Sequence, residues 1–340
     1  TLYRTSGDSP IVKALKKAAE NGKQVTVVVE LKARFDEAQN INWAKQLEQV
    51  GCHVIYGMLG LKIHSKIALV VRDEEDGIKR YIHLSTGNYN DKTAKIYTDI
   101  SIFTANRLFG RDASAIFNVL TGYSEPPRWK KLVTAPLDMR NFFLEKIDIE
   151  KKNSANGGKG KIIAKMNALV DRKIIESLYE ASNAGVEIKL IVRGMCCLKP
   201  GVKGLSENIT VVSIIDRFLE HSRIFYFYNS GDEDIYVASA DWMERNFDRR
   251  IEILFPIEDK DIKSEILTIL KTSLSDNLKA RELTKDGTYL RKKGKSGDKK
   301  IRSQIELHDY FSERNRKKEN LVKRAFIPRM NPDDDEEKII

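Results

Sequence analysis

Apolar and polar positions along this chain form a pattern that occurs twice. Behind Asp8, apolar residues recur at helical spacing as far as Asn21-Gly22, and the run Val25-Thr26-Val27-Val28-Val29 follows. This predicts a helix, a glycine stop and a buried strand. A shift of 163 positions puts Asp8 on Asp171, Leu15 on Leu178, Ala18 on Ala181 and Gly22 on Gly185, and lays the apolar run over Ile188-Lys189-Leu190-Ile191-Val192. Both aspartates are expected N-caps. A repeat this long reads as a duplicated domain rather than a solenoid. In the second copy an apolar strand, Lys161 to Met166, precedes Asp171, and its counterpart ends at Thr1-Leu2-Tyr3. The chain is therefore expected to begin inside a strand, with an N-terminal portion lacking.

The pattern changes at two places. Residues 151–160 have no apolar periodicity and are rich in Gly and Lys, which reads as an exposed linker. Beyond about residue 284 the chain turns polar and basic, and it ends in an acidic run. The expected organisation is a first α/β domain over 1–150, a linker over 151–160, a second α/β domain over 161–284 and a mobile tail over 285–340, with a short helix around 312–322. An apolar content of 41% suffices for real cores.

Net charge is +10, and the tail supplies half of it, with 16 basic against 11 acidic residues. A basic surface suits a polyanionic partner, although charge alone is better met by a solvated face with no partner. Cys52, Cys196 and Cys197 have neither the spacing of a zinc site nor that of a disulfide framework. They point to a reducing, cytosolic compartment. No run is long and apolar enough to span a membrane.

Two clusters carry the candidate chemistry: His64-Ser65-Lys66 and His221-Ser222-Arg223. Each lies beside an apolar run, and each is followed by a small-polar turn, Ser85-Thr86-Gly87-Asn88 and Ala238-Ser239-Ala240-Asp241. On a strand, a cation two residues from a histidine shares its face. The imidazole can then attack phosphorus while the cation holds a non-bridging oxygen. Arg4, Arg34 and Arg193 stand at the ends of predicted strands, where open α/β sheets bind ligands, and guanidinium groups meeting there suit phosphates. Asp99 and Glu252 align in the repeat, and each either orients a histidine or serves an ordinary salt bridge. His53, His83 and His308 lack such surroundings and read as structural or surface residues.

His-x-Lys with a later Gly-Asn, duplicated in one chain, resembles the phospholipase D superfamily. Longer strings are more specific: Thr1-Leu2-Tyr3-Arg4, Glu30 to Glu37, Leu84 to Asn90, Val192 to Leu198 and Ala240-Asp241-Trp242-Met243. Together they resemble the bacterial polyphosphate kinase family, type 1, over residues 1 to about 284. The resemblance implies two tandem phospholipase-D-like α/β domains forming one site at their interface, behind N-terminal and head domains of the same polypeptide that are missing here. It implies reversible transfer of the ATP γ-phosphate to polyphosphate, with His64 as the nucleophile that becomes phosphohistidine. Arg4 and Arg34 match positions assigned to Mg2+, where contact through phosphate or water oxygens is expected because guanidinium is a poor ligand for a hard cation. Tyr97, Arg193 and His221 match nucleotide-binding positions, with His221 also an acid or base at the ADP oxygen. Lys66 and Arg223 would neutralise the transferred phosphoryl group, and Asn88 and Asp241 support the two half-sites. ATP or ADP and polyphosphate are the implied partners rather than nucleic acid. The family tends to homo-oligomerise, and a bacterial cytoplasmic location is implied, with a peripheral position at the inner membrane as the alternative.

The resemblance departs from the superfamily at the second cluster, which reads His-x-Arg, and at Asp241, which stands where the first copy has Asn88. Two unequal half-sites fit one nucleophile and one acid better than a symmetric diesterase. Two other readings stay open: a phospholipase-D-type phosphodiesterase or nuclease, and a polyphosphate-binding fragment with weak catalysis.

Overall fold

The computed structural model describes residues 1–319 apart from Arg34, Phe35, Tyr123, Pro127, Lys293, Lys295 and Ser296. The duplicated pattern folds as two α/β units. In the second, Asp171 caps helix Arg172–Asn183 by accepting from the Ile174 N–H at 3.1 Å, and Gly185 ends it at φ 92°. In the first, helix Pro10–Glu20 is capped by Ser9 rather than the expected Asp8. The reason is local. Pro10 occupies the first helical turn, and the residue before a proline is driven to extended backbone, which is the N-cap conformation.

The second unit is built on a large sheet. Its strands lie in the order Tyr289–Arg291, Ala280–Leu283, Ile209–Ile214, Glu187–Val192, Lys161–Met166, Ile224–Phe227, Asp234–Ala238, Arg250–Pro256 and Lys62–Ile63, with Val133–Ala135 also pairing with Arg250–Pro256. Lys161–Met166 runs parallel to Glu187–Val192 and antiparallel to Ile224–Phe227. The aromatic run needs no ligand to explain it. Phe225 and Phe227 enter one core with Phe143 and Leu178, while Ile224 and Tyr226 enter the other, as strand alternation requires. In the first unit Thr26–Val28 pairs with His53–Ile55, and Ile67–Glu74, Gly77–Ser85 and Ser101–Thr104 form a separate antiparallel sheet. Thr1–Tyr3 lies between these two sheets. Leu2 bridges Val29 in parallel, and the Thr1 amine donates to Ile67 O at 3.0 Å.

The units share a core. Ile63, Ile67, Ile82, Leu84, Phe109 and Ile116 of the first pack in one cluster with Ile163, Ile191, Tyr226, Val237, Ile253 and Phe255 of the second. At roughly 1.5–3 kcal/mol for each large apolar side chain fully buried, this cluster dominates the junction. Two strand exchanges add direction to it. Lys62–Ile63 lies parallel against Arg250–Pro256, and Tyr97–Thr98 lies parallel against Leu219–Glu220. The segments before each histidine are thus hydrogen-bonded to the opposite unit.

Two expectations about the ends of the domains change. Residues 151–155 finish helix Met139–Ala155, whose Met139, Phe143 and Ile147 are buried in the second unit's core, so 151–160 is not a free linker. Asp112 holds the true crossing: its carboxylate accepts from the backbone N–H groups of Lys130, Lys131 and Leu132 at 2.7–3.1 Å. The expected mobile tail is folded as far as it is described. Tyr289–Arg291 joins the sheet edge, and Ser303–Glu319 is a helix anchored by Arg302 to both oxygens of Asp216 at 2.6 and 2.7 Å. Its helix starts some nine residues earlier than the expected 312. Residues 320–340, with the acidic run, lie outside the described residues. Among the described residues no helix is long and apolar enough to cross a membrane.

Candidate active site

His64 follows strand Lys62–Ile63, and the backbone N–H groups of His64 and Ser65 both donate to Ile251 O, at 2.9 and 2.8 Å. This fixes the imidazole over Glu252, whose two carboxylate oxygens lie 2.8 and 2.9 Å from Nδ1. A carboxylate can only accept, so Nδ1 carries the proton and Nε2 is left with its lone pair. Ser239 Oγ donates to the same carboxylate, and Tyr3 meets the His64 ring edge-on at 4.8 Å. Glu252 is fully buried and His64 is 7% exposed. Burial lowers the His64 pKa well below 6.5, assisted by Lys66, Arg250 and Arg223, so the ring is neutral near pH 7. Burial raises Glu252 in turn, against the pull of Lys66 and Arg250.

His221 is arranged the same way with the domains exchanged. Its Nδ1 lies 2.7 Å from Asp99 Oδ1, and Thr86 Oγ1 donates to that oxygen at 2.7 Å. Burial and the adjacent Arg223 lower His221 to about 4. Asp99 is held below the usual carboxylate range. Its burial acts the other way and is outweighed by the bond from His221 and the charge of Arg223.

The cations lie with the histidines. Lys66 is 1% exposed and donates to His64 O, with its ammonium 5.4 Å from the Tyr3 ring. Arg223 Nη1 lies 3.1 Å from His221 Nε2, and its Nε and Nη2 reach the two oxygens of Asp241 at 3.2 and 3.3 Å. Asp241 also accepts from the Asn167 N–H at 2.7 Å, and Asn167 Oδ1 takes Arg193 Nε and Nη2 at 3.2 and 2.9 Å. The Tyr97 ring lies 5.0 Å from that of His221. Asn88 Oδ1 is buried and has no hydrogen-bond partner among the described residues. Arg4 pairs with Asp36 at 3.1 Å and lies over the Tyr3 ring, which links it to the His64 side. Arg34 lies outside the described residues.

Such a site presents neutral imidazoles among buried cations, which suits a ligand that brings its own negative charge. Comparison with known proteins gives the family. Residues 1–126 match the family model described as polyphosphate kinase C-terminal domain 1, and residues 132–304 match C-terminal domain 2. The chain belongs to the polyphosphate kinase family. It is 60% identical over 311 residues to a polyphosphate kinase of an Exiguobacterium species, covering 91% of this chain and 43% of that protein. It is 58% identical over 312 residues to that of Halalkalibacterium halodurans, covering 92% and 44%. The crystal structure of polyphosphate kinase from Porphyromonas gingivalis superposes with a TM-score of 0.86 at 39% identity, covering 93% of this chain and 48% of that one. The chain thus spans less than half the length of the curated relatives it matches. The two matched family domains are the two tandem α/β units described above, and the mixed α/β class expected from the repeat holds.

Sequence reasoning for this polyphosphate kinase family member did not find Tyr3, Thr86, Thr98, Asn167, Lys165 or Glu220 as parts of the site. Thr86 stood in a singled-out turn and could have been named from it. Lys165 and Glu220 had no local signal, because each looks like one more charge on an alternating strand.

Proposed function

We propose that the two units carry the phosphotransfer site of a polyphosphate kinase, moving the ATP γ-phosphate reversibly to polyphosphate through a phosphohistidine on His64. The observation that carries this reading is the exchanged pairing of His64 with Glu252 and His221 with Asp99. His64 Nε2 attacks the γ-phosphorus in line. The N–P bond forms as the bond from phosphorus to the β,γ-bridging oxygen breaks, and ADP departs with that oxygen. The Nδ1 proton stays bonded to Glu252, whose charge offsets the positive charge gained by the ring. A terminal oxygen of polyphosphate then attacks the same phosphorus and the N–P bond breaks. Lys66 and Arg223 neutralise the transferred group, and Asn88, whose Oδ1 is buried, supports the first half-site. Tyr97 and Arg193 face the His221 side, where the nucleotide is placed in this reading.

Burial and Arg223 keep His221 neutral near pH 7. A nucleotide phosphate beside it raises its pKa, since a nearby negative charge favours the charged form. The same ring can thus give a proton to the leaving ADP oxygen once substrate is bound, and take it back in the reverse direction. Magnesium fits this site as a passenger on the phosphates. Among the described residues no group of three His, Cys, Asp or Glu could hold a metal ion, and Arg4 has no oxygen to offer. No step is assigned to it.

The test is incubation with γ-labelled ATP and Mg2+, comparing the chain with His64→Ala. Acid-labile, alkali-stable label on the parent alone supports the reading. Equal label on both removes His64 from the role. No label on either, together with turnover of bis(p-nitrophenyl) phosphate, favours the diesterase. No label and no turnover, with salt-sensitive polyphosphate binding, leaves the binding fragment.

A further inference from the structure

Glu220 immediately precedes His221 and is 7% exposed. A carboxylate so buried needs partners, and it has three, each from a different part of the chain. Lys165 Nζ, on a central strand of the second unit, lies 2.9 Å from Oε2. Thr98 Oγ1, of the first unit, donates to Oε2 at 3.2 Å. Gln304 Nε2, in the first turn of helix Ser303–Glu319, donates to Oε1 at 2.7 Å. Gln304 also grips the loop by its backbone, accepting from the Phe218 N–H at 2.9 Å and donating to Phe218 O at 2.8 Å. Lys165 reaches past Glu220 to Ser222 Oγ at 2.8 Å, so the residues on both sides of His221 are held by one ammonium. The Ser222 N–H donates to Thr98 O at 2.8 Å, and the His221 N–H meets Thr98 Oγ1 at 3.3 Å. Thr98 is the neighbour of Asp99, the partner of the His221 ring.

We infer that Glu220 is a positioning residue: held by Gln304, Lys165 and Thr98 rather than by the helix as a whole, it sets the distance and angle of His221 against Asp99. The two units meet here along a strand pairing of only two residues, Leu219–Glu220 on Tyr97–Thr98. So short a ladder leaves the alignment of His221 with Asp99 to side chains, and Glu220 is the side chain common to both units and the helix. The catalytic consequence rests on the phosphotransfer reading above; the structural assignment does not.

The experiment uses the full chain labelled with 15N-histidine, with the His221 signals assigned from His221→Gln. In the parent, His221 shows a single tautomer, protonated at Nδ1. Gln304→Ala and the near-isosteric Thr98→Val should each give averaged signals of two tautomers at His221 and leave His64 unchanged. Phosphotransfer should fall roughly tenfold, on the scale of a small misplacement of a reacting group. Arg302→Ala is the control, because it loosens the same helix through Asp216 without touching Glu220. It should lower thermal stability and leave His221 unchanged. An unmoved His221 tautomer in both Gln304→Ala and Thr98→Val overturns the inference, as does an Arg302→Ala spectrum that matches Gln304→Ala. A shifted tautomer with no phosphotransfer in any variant, the parent included, supports the positioning role and counts against the kinase reading instead.

Discussion

Glu252 lies 188 residues after His64 and in the other unit, yet its carboxylate is within 2.9 Å of His64 Nδ1. Asp99 and His221 repeat the relationship in the opposite direction. Neither unit alone holds an oriented histidine. Replacing Glu252 by Gln keeps the shape and removes the charge that offsets the phosphorylated ring. Phosphotransfer by Glu252→Gln should fall roughly 100-fold, the scale of lost acid–base assistance, with the KM for ATP nearly unchanged. Initial rates over a range of ATP concentrations check this, and a change confined to KM would contradict it.

Gly87 supports the second pair by having no side chain. A Cβ there would overlap Asp99 Oδ2, and Asp99 is pinned by His221 and Thr86. Gly87→Ala should therefore displace Asp99 from His221 and lower phosphotransfer at least as much as Asp99→Asn does. Parallel assays of the two variants decide the point.

Acid should weaken the fold through the histidines. His221 has an ordinary pKa of 6.5 and is held at about 4 by burial and Arg223. Between those values the unfolded chain binds the proton and the folded chain does not, so the contribution is complete above pH 6.5 and is lost as pH falls toward 4. His64 acts in the same direction. Glu252, raised above 4.5 by burial, acts oppositely over its own window. Comparing His221→Gln with the parent isolates one group: the parent's unfolding free energy from urea titration should fall more steeply between pH 6.5 and 4, by up to about 1.4 kcal/mol per pH unit. Parallel pH profiles for the two proteins would refute this.

Asp112 should matter to stability and not to chemistry. It is 2% exposed and satisfies the N–H groups of three consecutive residues where the chain passes between units. Asp112→Ala leaves them without that acceptor at a cost of roughly 3 kcal/mol. Chemical denaturation measures the loss, and hydrogen exchange should locate it at residues 130–132.

Much of the candidate site is legible in the sequence. The doubled His-x-cation clusters, the glycine stops and the cap at Asp171 depend on residues a few positions apart, and such spacing is written in the chain. So was the eventual nearness of Asp99 and Glu252 to histidines, though as one of two readings of an alignment. The N-cap Ser9, one residue from the expected Asp8, shows the limit of that resolution: Pro10 decided between neighbours.

Sequence by itself determined that there are two similar α/β units and that His64 and His221 occupy equivalent places in them, because strand and helix periods and short motifs are local. Tertiary structure alone decided that each histidine takes its carboxylate from the other unit, that Lys165, Glu220 and Gln304 meet beside His221, and that the polar segment after 284 folds back as strand and helix. The histidine–carboxylate pairs and the contacts of Glu220 join residues 55 to 188 positions apart through buried charges. A buried charge has the same letter as a solvated one, and its partner is chosen by packing rather than by spacing.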